Sequence, residues 1–248
     1  MVLAGSRPGS DSFAVSHGTD LKALIPVAGE PMVCRPVRTL LDNPNVAVVR
    51  VLTQQTERIA AILPADPRLT VESTGATLAS TLAAIGADPL TKWPLLVTTA
   101  DHALLDDAMI ADFTASAAGA DVAIGLVEAR PLLARLPNTK RTWIGFRGGR
   151  YSGANLFALG SPRAAKAIDL WRGVEQDRKK GWRLLAALGP AGLLGLLKLR
   201  SLDQTMKALS RRLDLDLRAV QMRDPLAAVD VDKPADHDLV ESILAGRA

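Results

Sequence analysis

A chain of 248 residues, 48% hydrophobic and only 4% aromatic, can bury a full core without disulfides or a structural metal to staple it. Its single cysteine, Cys34, excludes an intramolecular disulfide and is expected as a small core residue of a protein in a reducing cytoplasm. The formal charge of +4 hides an asymmetry: Arg130 to Arg223 carries 20 Lys and Arg against 6 Asp and Glu, the remainder 10 against 20. Such an imbalance points to an anionic partner for the basic part of the chain.

The start, Met1 to Gly5, lacks the basic residues and long apolar run of a signal peptide, so a cytoplasmic protein is expected. Met1 to Ala4 reads as the end of a strand running into the small-residue loop Gly5-Ser6-Arg7-Pro8-Gly9. Pro31 stands where helices like to begin, and Met32 to Leu41 reads as helix, with Pro36 marking a kink or a late start. Val46 to Leu52 is a continuous apolar, β-branched run, the pattern of a parallel strand buried on both faces. A helix to Leu63, a strand from Leu69 to Glu72 and a helix from Ala76 to Ala87 follow. Pro94 to Ala100 is the next buried strand, then a helix from Asp106 to Ala118 and a strand from Asp121 to Val127. Short apolar strands alternating with helices are the mark of βαβ units winding a parallel sheet.

The rhythm then changes. Arg141 to Arg147 and Tyr151 to Leu159 flank Gly148-Gly149 and read as a hairpin. Helices are expected from Ser161 to Trp171 and from Asp177 to Leu188, followed by a Leu-rich stretch and a basic amphipathic helix, Leu202 to Leu213. Strands Arg218 to Met222 and Ala227 to Val231 and a helix from Pro234 to Leu244 close the chain.

In open parallel sheets ligands gather outside the carboxyl ends of the strands. Polar groups fall at several of those ends: Arg7, Gln54 within Thr53-Gln54-Gln55, Asp101, and Asp230 with Asp232. A glycine-containing loop brings backbone N–H groups close to a phosphate, and Arg7 and Lys22 would neutralise it. Two carboxylates near such a loop suit Mg²⁺, which takes a few protein oxygens and fills the rest with phosphate and water. Taken singly, each aspartate is more commonly a helix cap; the set favours the metal. His102 beside Asp101 is expected to touch ligand, whereas His17 and His237 read as surface residues, and no Cys/His zinc spacing occurs.

Leu3-Ala4-Gly5 with Arg7, Lys22, Gly29-x-Pro31, the strand ending at Asp101 and Val229-Asp230-Val231-Asp232-x-Pro234 resemble the MobA-like nucleotidyltransferases. The resemblance implies a Rossmann-like three-layer α/β/α fold with a mostly parallel sheet and a helical, basic acceptor-side elaboration. It implies one domain over 1–248: a nucleotide-binding half (1–128), an acceptor-side half (129–223), and a metal-binding strand with closing helix (224–248). Members transfer a nucleotidyl group from a nucleoside triphosphate to a phosphorylated acceptor with Mg²⁺, releasing pyrophosphate. By position, Leu3, Ala4, Gly5 and Ser6 would hold the nucleotide and Arg7 its β- and γ-phosphates. Lys22 would stabilise charge at the α-phosphate, Gln54, Thr74 and Gly75 would lie against the base, and Asp101 and Asp232 would hold the metal. Ser152 to Phe157 looks like the acceptor-side strand, with Asn155 facing the substrate; independently of the resemblance, the basic cluster at Arg178 and Lys179 is expected to clamp the acceptor's phosphate, although such a cluster taken singly is more commonly a solvated helix face. The sequence departs from the family loop, which usually reads Gly-Gly-x-Gly-x-Arg, keeping only Gly5 and Gly9 and inserting Ser10 to Thr19; CTP or GTP is the expected nucleotide.

Two other classes share these ingredients. A nucleotide-sugar glycosyltransferase would use Asp230-Val231-Asp232 as a metal-binding Asp-x-Asp, although that motif normally follows the nucleotide-binding half. A non-catalytic nucleotide-binding protein would use the basic part of the chain alone; scarce aromatics there argue against nucleic acid. The Leu-rich stretch Gly192 to Leu197, followed by Lys198, Arg200, Lys207, Arg211 and Arg212, fits an anionic lipid surface, a homodimer seam or a buried helix, the last being commonest.

Overall fold

The computed structural model describes residues 1–5, 9, 11–74, 78–88, 91–169, 189, 194 and 197–247. They form two compact units, Met1–Thr74 with Val97–Ala111 and Val229–Ala248, and Gly75–Leu96 with Asp112–Ala228. Both are α/β: the main ladder of the first unit is wholly parallel and that of the second is mixed, in keeping with the mostly parallel sheet expected.

The elements in chain order begin with β1 (Val2–Leu3), α1 (Ser12–Ser16), β2 (Pro26–Val27), β3 (Glu30–Pro31), α2 (Cys34–Asp42), β4 (Val49–Thr53) and α3 (Thr56–Ala60). Next come β5 (Leu69–Ser73), α4 (Leu78–Ala87), β6 (Leu95–Thr99), α5 (Asp107–Ala117), β7 (Val122–Glu128) and α6 (Ala129–Arg135). The chain finishes with β8 (Ile144–Phe146), β9 (Gly149–Leu159), α7 (Leu202–Leu213), β10 (Leu217–Gln221) and α8 (Pro234–Leu244).

In the first unit β1 is the hub. Although two residues long, it pairs in parallel with β4 through Val2↔Val51 and with β6 through Val2↔Thr98. On the far side β4 pairs in parallel with β5, Thr53 opposite Ser73. The order β6-β1-β4-β5 therefore sets four carboxyl ends side by side. Val2, Val49, Val51 and Leu52 are at most 1% exposed, in keeping with strands covered on both faces. The β4 strand starts three residues later than expected because 46–48 form no ladder, Val48 being half exposed.

The helix expected from Met32 begins instead at Cys34, and Pro31 belongs to β3. The amides of Met32 and Val33 donate to Ile25 and Ala23 at 2.9 and 3.1 Å, which ties them to the preceding loop. Pro36 then falls in the first turn, where its missing N–H has no intrahelical partner to lose. Cys34 is buried on this helix beside Val37 and Leu41, the i, i+3, i+7 stripe of a core-facing helix; burial raises its thiol pKa.

In the second unit β7 pairs in parallel with β10 and antiparallel with β9, and β9 with β8. The expected hairpin is present with its turn one residue earlier: Phe146 pairs with Gly149, leaving Arg147-Gly148 as the loop, Gly148 at φ 98°. The α7 helix has the predicted bounds; Ser201 and Gln204 form a capping box at its start and Asp214 ends it at φ 53°. The residues from 165 to 169 are helical, as expected from Ser161 onward, whereas the helix expected from Asp177 to Leu188 lies outside the described residues.

One expected strand does not form. Ala227 to Val231 is a short 3₁₀ turn (Pro225–Ala228) followed by buried chain without a ladder. Val229 and Val231 are fully buried, and the Val231 amide donates to the Asp101 carbonyl at 3.0 Å. That acceptor lies beyond the end of β6, so the segment crosses the strand ends where no partner edge continues.

Candidate active site

The carboxyl ends of β6, β1, β4 and β5 release the chain at Ala100, Ala4, Gln54 and Thr74 in that order across the sheet. Asp101 follows β6 by two residues and retains 19% side-chain exposure. One oxygen of its carboxylate accepts the Thr99 hydroxyl proton; the other accepts from Lys22 Nζ at 2.7 Å. The Lys22 side chain leaves a 3₁₀ turn, Lys22–Leu24, and its ammonium also donates to Asp232. Burial by itself lowers the lysine pKa, but the Asp101 charge and the hydrogen bonds to both carboxylates outweigh it and hold the ammonium above its ordinary value. Lys22, Asp101 and Asp232 thus meet at one point, within one unit.

Asp232 is the more open carboxylate, 61% exposed. It is approached from behind: the Asp232 amide donates to Asp236 Oδ2 at 3.3 Å, and Asp236 is a buried residue in the first turn of α8. Asp236 reaches back past the N-cap of its own helix, Lys233, to fix the segment carrying Asp232.

Gly5 follows β1 by two residues, as Asp101 follows the neighbouring β6. A Cβ there would lie 3.2 Å from the Gln54 amide, so the missing side chain lets Gln54 fold over the loop's start. Thr74 adjoins Gln54 on the next strand end. Its amide donates to Thr53 at 3.1 Å, while its buried Oγ1 has no hydrogen-bond partner. Leu3 and Ala4, expected to hold nucleotide, are 8% and 2% exposed and give their side chains to the core. The Ala4 amide is bonded to Leu52, and the Leu3 carbonyl accepts from Ala100. Ser6, Arg7, Gly75, Arg178 and Lys179 lie outside the described residues.

His102 corrects the sequence reading. It is fully buried, its Nδ1 3.2 Å from Thr98 Oγ1, and its Nε2 lacks a partner. Burial drives its pKa down to about 4 against the opposing pull of Asp101. It is a neutral core residue, out of reach of a solvent-borne ligand. His17 and His237 are likewise not plain surface groups. Their rings meet at a tilt of 55° with centroids 4.8 Å apart, Phe13 packs edge-on to His17 at 4.9 Å, and His237 Nε2 is 2.7 Å from the Pro26 carbonyl oxygen. This contact docks α1, part of the inserted loop, onto α8.

In the second unit Asn155 occupies a β-bulge. Ile124 pairs with Phe157 and Leu126 with Gly153, so a single residue of β7 faces three of β9. At its centre Asn155 adopts φ 48°. Asn tolerates the left-handed region better than other side-chain-bearing residues, and bulges of this kind re-aim a side chain.

Two carboxylates converging on one point, one of them open to solvent, fit a hard divalent cation whose remaining ligands are phosphate and water oxygens. Among the described residues no group of three or more His, Cys, Asp or Glu forms a metal cage, so any cation here would rely on ligand oxygens.

A model of the MobA-like NTP transferase domain matches residues 2–213. The chain belongs to this family. Its fold and family make it a nucleotidyltransferase. A hypothetical transferase from Thermus thermophilus superposes with a TM-score of 0.78 at 28% identity, covering 95% of this chain and 97% of that one. The CMP:2-keto-3-deoxy-manno-octonic acid synthetase complexed with CTP shares the fold at TM-score 0.57 and 12% identity, over 100% and 98% of the two chains. So does a 4-diphosphocytidyl-2C-methyl-D-erythritol synthase from Anaerococcus prevotii, at TM-score 0.56 and 10% identity, over 89% and 88%. No curated protein matches the sequence.

No sequence signal marked Thr99 or Asp236 as partners of the site. The Thr-Thr-Ala-Asp run at the end of β6 is the nearest to one, since i and i+2 residues of a strand share a face.

Proposed function

We propose that this protein is a Mg²⁺-dependent nucleotidyltransferase that moves NMP from an NTP, CTP or GTP, to a phosphorylated small molecule or headgroup. The observation that carries the reading is the meeting of Lys22, Asp101 and Asp232 at the carboxyl edge beside Gly5. CTP takes first place among nucleotides because the fold is shared with a synthetase complexed with CTP.

An ionised oxygen of the acceptor phosphate attacks the α-phosphorus. The bond from that phosphorus to the bridging oxygen breaks, and pyrophosphate leaves with the electron pair. No side-chain nucleophile or base is required, because the attacking oxygen is already ionised. The protein aligns the two phosphates in line and compensates the charge that builds on the α-phosphoryl oxygens.

Lys22 donates to those oxygens, its ammonium kept protonated by the two carboxylates. Arg7 neutralises the β- and γ-phosphates, while the Gly5 backbone with Ser6 lies along the triphosphate. Gln54, Thr74 and Gly75 border the base, the unpartnered Thr74 hydroxyl supplying a donor or acceptor. Asp101 and Asp232 would hold Mg²⁺, which when bound neutralises phosphate charge and fixes the triphosphate's orientation. Asn155, Arg178 and Lys179 take the acceptor phosphate, and the whole chain acts as one catalytic domain.

The test is pyrophosphate release from each NTP with Mg²⁺ and a panel of phosphorylated acceptors. Release that requires acceptor and disappears in Asp101→Ala supports the reading. Turnover confined to NDP-sugars would make it a glycosyltransferase, and nucleotide binding without turnover would make it a binding protein.

A further inference from the structure

A surface patch of the second unit combines cations with protruding aliphatic side chains. Among the described residues six large hydrophobic side chains are exposed, and three of them lie here: Ile144 at 44%, Leu197 at 59% and Leu199 at 59%. The segment 197–200 lies against the β8–β9 hairpin: the Arg147 amide donates to the Arg200 carbonyl at 2.9 Å. Lys198 Cε lies 2.7 Å from the position a Cβ on Gly145 would take, so a glycine there admits the lysine stem. Between hairpin and α6 opens a hollow of about 300 Å³, with Leu133 and Phe146 in its wall and Arg130, Arg150 and Lys198 around it. Glu128, the acid lining this hollow, is engaged by Arg130 at 2.7 Å.

Leucines alternating with cations on an exposed segment are out of place on a face that meets only water. We propose that this face docks on the surface of an anionic lipid bilayer, Ile144, Leu197 and Leu199 entering the headgroup–acyl boundary while Arg147, Arg150 and Lys198 meet lipid phosphates. Charge complementarity selects this occupant. A two-fold copy of the chain would set the same cations against one another, and nucleic acid would leave the three aliphatic side chains unburied.

The test is cosedimentation of the full chain with vesicles of phosphatidylcholine alone and of phosphatidylcholine mixed with phosphatidylglycerol. Binding is expected only to the mixed vesicles and weakens with salt. Leu197→Asp with Leu199→Asp reduces partitioning at least tenfold, and neutralising Lys198 reduces it about fivefold. Ile144→Ser, checked with the others by circular dichroism, serves if the double variant does not fold. No binding, equal binding to both vesicles, or variants that bind as wild type overturn the proposal. Loss of vesicle binding to competing inorganic phosphate at constant ionic strength would reduce the patch to a free-phosphate site. A dimer in sedimentation velocity that the double variant dissolves would make it a subunit seam.

Discussion

Lys22 and Asp101, 79 residues apart in the chain, form a hydrogen-bonded ion pair of 2.7 Å whose ammonium also reaches Asp232. One cation therefore holds two carboxylates that would otherwise repel. Replacing it leaves the acids facing each other and, in the proposed mechanism, removes charge compensation at the α-phosphate. Lys22→Met is expected to lower kcat by about 10²–10³ while changing the NTP KM far less. Steady-state kinetics with acceptor saturating decide it.

Thr99 touches no substrate in the proposed mechanism, yet its hydroxyl donates to the Asp101 oxygen that Lys22 does not use. Thr99→Val keeps the shape and deletes the donor, and is expected to cost about tenfold in kcat. Thr99→Ser restores the hydroxyl and the rate. A Val variant as active as the Ser variant would strip Thr99 of this positioning role.

Gly5 leaves room for Gln54. A methyl group there meets the end of a flexible side chain rather than backbone, 3.2 Å away. Gly5→Ala should lower stability by about 1 kcal/mol or less. It should raise the nucleotide KM by about tenfold, because Gln54 is displaced toward the proposed base site. Thermal melts and nucleotide titration of the same variant separate the two effects.

Asn155 tests the acceptor side. Gly accepts φ 48° freely whereas Ala does not. Asn155→Ala is expected to lose about 1 kcal/mol of stability and Asn155→Gly less. Both raise the acceptor KM and leave the NTP KM unchanged. An NTP effect of equal size would move Asn155 out of the acceptor site.

Arg50 and Glu72 pair across β4 and β5, Nε to Oε1 at 2.8 Å. The Arg50 hydrogen bond holds the Glu72 carboxyl below its ordinary range. A depressed folded-state pKa means the pair stabilises fully above the unfolded carboxylate pKa and loses that contribution as pH falls through the folded one. With both side chains a quarter or more exposed, the contribution is about 1 kcal/mol. Denaturant melts of wild type and Glu72→Gln should differ by that amount at neutral pH and converge below about pH 4.

Local patterns carried much of the architecture. Buried strands announced themselves by continuous apolar runs, as in β4 and β6, α7 by its amphipathic period, and α8 by the proline at its start. The strand expected from Ala227 to Val231 was misread because a fully buried apolar run has the same pattern whether or not a neighbouring edge is free to pair with it. His102 was misread for a related reason: adjacency to Asp101 in sequence says nothing of direction, and the ring turns into the core. Asn155 was picked out by its motif, but its left-handed backbone depends on how β7 and β9 pair across the bulge.

The amino-acid order by itself determined the βαβ alternation, the family motifs and the positions of Lys22, Asp101 and Asp232 at element ends, because propensity, capping and hydrophobic period act over a few residues. Only the tertiary structure decided that those three side chains share one point and that the exposed leucines gather with cations at the β8–β9 hairpin. Contacts between residues tens to hundreds of positions apart are set by strand order and side-chain direction, which local sequence does not encode.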